Sequence, residues 1–205
     1  GTSKGDEVDG WDVLLTRLDD GSYLVDAGPP KGEALVSSLA GGRAAGEDDL
    51  AQRGARWRRN FETLRKHELR MNPTGLPKLL EQNYDHPVWE EKAELCYSCG
   101  SCNLVCPTCY CFDVSDELDW NLETGTRLRT WDGCMLQNFA AVAGDHNFRE
   151  LKSARYRHRY LRKGQYTHDM IGKISCVGCG RCITACTSKI ANPVEVYNRL
   201  LETRS

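Results

Sequence analysis

The chain has 205 residues, with 27 Lys and Arg against 29 Asp and Glu and a formal net charge of -2. That balance leaves no overall basic footprint for nucleic acid, and no apolar stretch approaches the roughly 18 residues of a membrane span. Eleven cysteines, an odd number, with no signal-like segment ahead of them argue against a secreted disulfide framework.

In chain order, the first 50 residues hold 4 basic and 11 acidic side chains, a local charge of -7. Weak alternation over 11–18, a turn at Asp19-Asp20-Gly21 and an apolar run at 23–25 predict a hairpin. Pro29-Pro30 stops it, and 33–39 reads as a short helix ending at Gly41-Gly42. Residues 53–70 reverse the charge, with seven basic and two acidic side chains and an apolar stripe at Trp57, Phe61 and Leu64, which predicts an amphipathic helix. In a mildly acidic chain with no nucleic-acid module, a solvated face or a docking surface is the favoured reading of those arginines. Pro73, Gly75, Pro77 and Pro87 punctuate a linker, and a short helix over 88–95 delivers the chain to Cys96. After the cysteine-rich part, Asn192-Pro193 opens a last helix with Val194, Val196, Tyr197, Leu200 and Leu201 as its apolar positions.

Two cysteine runs of identical spacing dominate the middle: Cys96, Cys99, Cys102, Cys106 and Cys176, Cys179, Cys182, Cys186. Each reads Cys-x2-Cys-x2-Cys-x3-Cys, the bacterial ferredoxin spacing for [4Fe-4S] clusters. Three thiolates two residues apart wrap a tight loop round one cube face, and the fourth iron needs a thiolate from elsewhere. In two-cluster ferredoxins the fourth cysteine of each run serves the other cluster, so the expected sets are Cys96, Cys99, Cys102 with Cys186, and Cys176, Cys179, Cys182 with Cys106. Gly100, Gly178 and Gly180 suit close backbone approach, and Pro107 follows Cys106 as in ferredoxins, whereas Thr187 stands at the corresponding place in the second run. The added Thr187 amide would raise a cluster potential through a sulfur hydrogen bond. Zinc is the lesser alternative, because one tetrahedral site uses two cysteine pairs and each run carries a surplus. Such ligation expects a reducing compartment, with the cytoplasm as default, and a domain folded around metal rather than a large apolar core.

Residues 107–175, 69 in all, separate the runs. They open with Cys-Pro-Thr-Cys-Tyr-Cys at 106–111, pass an acidic segment with Asp113, Asp116, Glu117 and Asp119, and reach Cys134. Residues 149–163 then hold seven basic side chains against Glu150 alone. That segment reads as a docking surface, as compensation for cluster charge, or as a plain solvated face. Tyr156, Tyr160 and Tyr166 are expected to pack rather than to carry electrons. Cys109, Cys111 and Cys134 are expected to pack beside Cys106 as small hydrophobes, in preference to forming a further metal site with His146 or His168.

Cys-Pro-Thr-Cys-Tyr-Cys at 106–111, Gly-Asp-His-Asn-Phe-Arg at 144–149, Arg-Tyr-Arg-His-Arg-Tyr at 155–160 and Cys-Val-Gly-Cys-Gly-Arg-Cys at 176–182 together resemble one family. It comprises the beta-type iron-sulfur subunits of cytoplasmic sulfhydrogenase, a [NiFe] hydrogenase, and of anaerobic sulfite reductase, where the subunit is called A. The resemblance implies an electron wire without bond chemistry of its own, joining a flavoprotein subunit that handles FAD and NAD(P)H to a catalytic subunit. It transfers the eight cysteines of the two runs as ligands and nothing else. Heterodisulfide reductase or another terminal enzyme is an equally open partner, and a structural or sensing iron-sulfur protein that binds nucleic acid is an alternative of another class. Members of that family carry a longer N-terminal portion, and the chain opens Gly1-Thr2, so a fragment or processed chain is expected. The expected fold is α+β: residues 1–42 a hairpin and helix region, 43–94 a helical and loop linker, and 95–205 a two-cluster ferredoxin-like domain with a helical and loop insertion at 107–175.

Overall fold

A computed structural model of the chain describes residues 11–64 and 68–202. It divides into two compact units, Gly1–Glu68 and Leu69–Ser205.

In the first unit, β1 (Val13–Arg17) and β2 (Tyr23–Ala27) form an antiparallel hairpin in which Leu15 faces Val25. The turn is closed by Leu18 N donating to Ser22 O at 2.8 Å and by the Asp20 carboxylate accepting from Ser22 N at 2.9 Å. α1 (Lys31–Ser37) follows directly, and only glycine fits at Gly32, where a Cβ would lie 1.6 Å from the Asp12 carbonyl oxygen. α2 (Glu47–Leu64) begins six residues before the basic stretch, because Glu47, Asp48 and Asp49 favour the positive end of the helix dipole. Asp49 accepts from Gly46 N at 2.8 Å and pairs with Arg43 at 2.6 Å. The arginines of α2 turn to the acidic hairpin: Arg53 pairs with Asp26, and Arg56 and Arg59 reach Asp19 at 3.5 and 3.6 Å. Trp57 Nε1 donates to Thr16 Oγ1 at 3.3 Å. The charge reversal between the two stretches is therefore answered within the unit. The Leu64 side chain and residues 65–67 of the basic stretch lie outside the described residues.

The second unit starts earlier than residue 95, the boundary its sequence suggested. α3 (Leu76–Gln82) and α4 (Val88–Glu94) come from the supposed linker, yet Leu76, Leu79, Leu80, Val88, Trp89 and Ala93 are all buried. Spacings of three, four and five residues within these short helices put the apolar side chains on one face, while the prolines mark only helix starts. Their partners are α6 (Lys152–Leu161), which contributes Tyr156, Tyr160 and Leu161, and α9 (Pro193–Glu202), which contributes Val196, Tyr197 and Leu200. Asn192 caps α9, its side-chain oxygen accepting from Val194 N at 3.1 Å. The buried aromatic groups satisfy their polar ends: Trp89 Nε1 donates to Asn83 O at 2.9 Å, and Tyr156 OH donates to Ile190 O at 2.6 Å. Tyr156 and Tyr160 thus pack, as expected.

The connection between the runs is not only helix and loop. It opens with β3 (Phe112–Leu118) and β4 (Gly125–Trp131), an antiparallel hairpin exposed along both strands. Acidic residues at 113, 116 and 117 hide its alternation, which cross-strand contacts restore: Asp116 pairs with Arg127 at 2.6 Å, and the Arg129 guanidinium lies 3.8 Å from the Phe112 ring centre. A minimal antiparallel pair, β5 (Ala141–Val142) with β6 (His146–Asn147), comes next. α6 then runs into a π turn at 162–166 and α7 (Thr167–Ile171). Among the described residues no helix is long and apolar enough to cross a membrane.

Candidate metal centres

The two cysteine runs fold alike. Cys96 follows α4, and the loop takes positive φ at Ser98 (53°) and Gly100 (74°) before α5 (Ser101–Leu104), which carries Cys102. In the second run Gly178 (64°) and Gly180 (74°) do the same before α8 (Arg181–Ala185), which carries Cys182. Left-handed residues at these two places curl each loop, and in the first run they bring three sulfurs to one cavity. Ser98 is the position where sequence gave no warning, since serine rarely adopts that conformation.

Cys96, Cys99, Cys102 and Cys186 line one cavity. The fourth cysteine of the second run thus stands with the first three of the first run. Cys176 in turn faces Cys182 and Cys106, and the short helices α5 and α8 pack on each other. Ser175 fixes this second grouping from both sides: its amide donates to Lys163 O at 3.0 Å, and its carbonyl accepts from Thr108 Oγ1 at 2.6 Å. Thr108 is two residues beyond Cys106, and Ser175 immediately precedes Cys176. Four thiols round one cavity fit the donor chemistry of a cubane.

The electrostatics are set by burial and by α6. Burial pushes the Cys102 thiol up to about 11, with Arg159 opposing. Cys106 moves the other way, below the ordinary thiol value, mainly through the neighbouring Cys109 thiol, with Thr108 and Lys163 assisting against burial. Hydrogen bonds from Ser101 lower Cys99, and burial raises Cys176. Arg155, Arg159 and Lys163 recur every four residues and are 4%, 3% and 7% exposed. This stripe overturns the solvated-face reading of the basic segment for those three residues. Arg155 donates to Arg149 O at 3.0 Å and to Ser98 Oγ at 3.3 Å, bracing the first loop. Arg159 lies beside Cys102 and Cys182; burial works against its charge, and Tyr160 and the two cysteines outweigh it. Lys163 Nζ donates to Thr108 O and Oγ1, each at 2.7 Å. Outside the stripe, Arg157 packs on Tyr84 and Arg162 on Tyr110. A four-residue period of cations was the available signal for the stripe.

The three remaining cysteines gather as well. Cys134 is buried and Cys109 and Cys111 are half-buried, all on a second cavity of about 140 Å³. Asn103 Nδ2 donates to Cys134 Sγ at 3.4 Å and approaches Cys109 Sγ at 3.6 Å. His146, stacked edge-on against Phe148, and His168, beside Asp169, do not line that cavity; His158 does.

Residues 95–190 match the family model of the 4Fe-4S dicluster domain. Over 197 residues, 95% of this chain and 56% of the relative, the sequence is 36% identical to sulfhydrogenase 2 subunit beta of Pyrococcus furiosus (strain ATCC 43587 / DSM 3638 / JCM 8422 / Vc1). The likeness to a hydrogenase beta-type iron-sulfur subunit, read above from motifs, therefore runs through nearly the whole chain, which spans about half the length of that relative. No solved structure matches the chain.

Proposed function

We propose that this chain is an electron-relay subunit carrying two [4Fe-4S] clusters, one on Cys96, Cys99, Cys102 and Cys186 and the other on Cys106, Cys176, Cys179 and Cys182. It joins a flavoprotein subunit handling FAD and NAD(P)H to a catalytic subunit of the hydrogenase type. The observation that carries this reading is the place of Cys186 on the cavity of the first run. When bound, each cubane supplies a site for one electron at a time. The residues around it hold and tune it: Arg159 favours the reduced state of both centres, and Ser175 and Thr108 lock Cys106 beside Cys176. Cys99 and Cys179 are exposed, one from each set, which gives each centre a route to the surface where a partner's cofactor can approach. Thiolate ligation of this kind suits a reducing cytoplasm. Binding of nucleic acid loses its main support, because the arginines at 53, 56 and 59 pair with hairpin carboxylates and Arg155, Arg159 and Lys163 are buried.

The test is paired substitution with anaerobic iron analysis and EPR of the reduced protein. Cys186→Ser and Cys96→Ser should lose the same signal and about four irons each. Cys106→Ser and Cys176→Ser should lose the other. Coincidence of Cys186→Ser with Cys176→Ser would overturn the crossed ligand sets, and bound zinc with no signal would overturn the relay.

A further inference from the structure

We propose that Cys109, Cys111, Cys134 and His158 hold a third iron-sulfur cluster, of the cubane type. All four line the cavity of about 140 Å³ in the second unit, together with Asn103, Arg159 and Lys163. The base of the β3–β4 hairpin brings the thiols together. Cys111 ends the segment entering β3 and its carbonyl accepts from Asp132 N at 3.2 Å, two residues before Cys134; Cys109 lies two residues upstream, and His158 arrives from α6.

Cysteines serving as small hydrophobes close up against apolar neighbours. Here three sulfurs face open room beside an amide and two buried cations. The Asn103 amide points at Cys109 and Cys134, as a donor to cluster thiolates would. Lys163 and Arg159, both buried and both on this cavity, offset the negative charge that a thiolate-ligated cluster brings.

The spread of the donors separates a cluster from a single ion. Among the described residues no group of three or more His, Cys, Asp or Glu is drawn together closely enough for one metal ion, and this is equally true of the eight cysteines of the two runs. The Cys96 set and the Cys109 set each line a cavity instead. Three thiols lose their protons on binding and the imidazole donates a lone pair, so this centre carries one negative charge fewer than a four-thiolate cubane and sits at higher potential. Arg159 lines both this cavity and that of Cys96 and Cys186, so the third centre adjoins the relay.

The full chain, reconstituted anaerobically, should hold about twelve irons and as many sulfides rather than about eight, with the mass of three clusters in native mass spectrometry. Cys134→Ser and Cys111→Ser should each remove about four irons and leave the two coupled signals of the ferredoxin-type centres. If the buried Cys134 variant fails to fold, the half-buried Cys111 variant and the wild-type mass decide. Eight irons with both coupled signals would overturn the third cluster and spare the relay. Zinc in the cavity, or full iron in a folded Cys111→Ser protein, would also overturn it. Loss of the coupled signals from the wild type would instead strike the relay.

Discussion

Arg159 offers the sharpest quantitative test. The residue is 3% exposed and lies beside Cys102 and Cys182, so Arg159→Met removes one positive charge beside both proposed relay centres while keeping most of the side-chain volume. With a charge-to-cluster separation of about 6 Å and an effective dielectric of about 20, the lost attraction is about 3 kcal/mol per added electron. At about 59 mV per tenfold change for one electron, both midpoints should fall by about 120 mV, the larger drop falling on the centre that includes Cys182. Arg159→Lys keeps the charge and gives up the fork, so it should recover most of the shift. The assay is an EPR-monitored redox titration of folded protein with its full iron content. Midpoints that stay within about 20 mV of wild type in the Met variant would refute this account of how the basic segment acts.

Two further perturbations test the scaffold. Leu80 is fully buried in the cluster of α3, α4, α6 and α9, so Leu80→Ala should cost about 2–5 kcal/mol in anaerobic denaturant unfolding; a loss under about 1 kcal/mol would remove α3 from the core. His86 Nδ1 accepts from Val88 N at 3.0 Å at the start of α4, and burial together with Arg199 lowers its pKa below the ordinary imidazole value of 6.5. The group is neutral in the fold and protonates more readily unfolded, so its contribution is fully present above pH 6.5 and is lost as pH falls through the lowered folded value. Thermal scans at falling pH should show that loss, and His86→Asn, which keeps an acceptor but cannot titrate, should lessen it. An unchanged pH dependence in the variant would rule out the mechanism.

The cysteine spacing disclosed most of the candidate site because ligand geometry is local: three thiols on one loop leave their mark within seven residues. The final helix and the N-terminal hairpin were legible for a similar reason, since Asn192 and the turn at 19–21 act over short range. What sequence hid depends on distant partners. The prolines at 73, 77 and 87 suggested a linker, and only the aromatic faces of α6 and α9 turn those short helices into core. The acidic strand β3 is recognisable once Arg127 and Arg129 stand opposite it. Arg155, Arg159 and Lys163 look like solvent-facing cations until the thiols of both runs are placed around them. His158 could not be joined to Cys134 by any spacing rule, because β5, β6 and the start of α6 lie between them.

The presence of Cys186 on the cavity of Cys96 also has a bearing on biosynthesis. Ninety positions separate the two residues in the chain. At a translation rate of about 5–20 residues per second, about 5–20 s pass between the two cysteines being made, and the last of them must still clear the ribosome. Throughout that interval the first loop lacks the fourth ligand proposed for it. Insertion of the cluster proposed there must therefore wait until Cys186 has been made, and a nascent chain stalled before that residue would present its loop to oxygen and to competing metals.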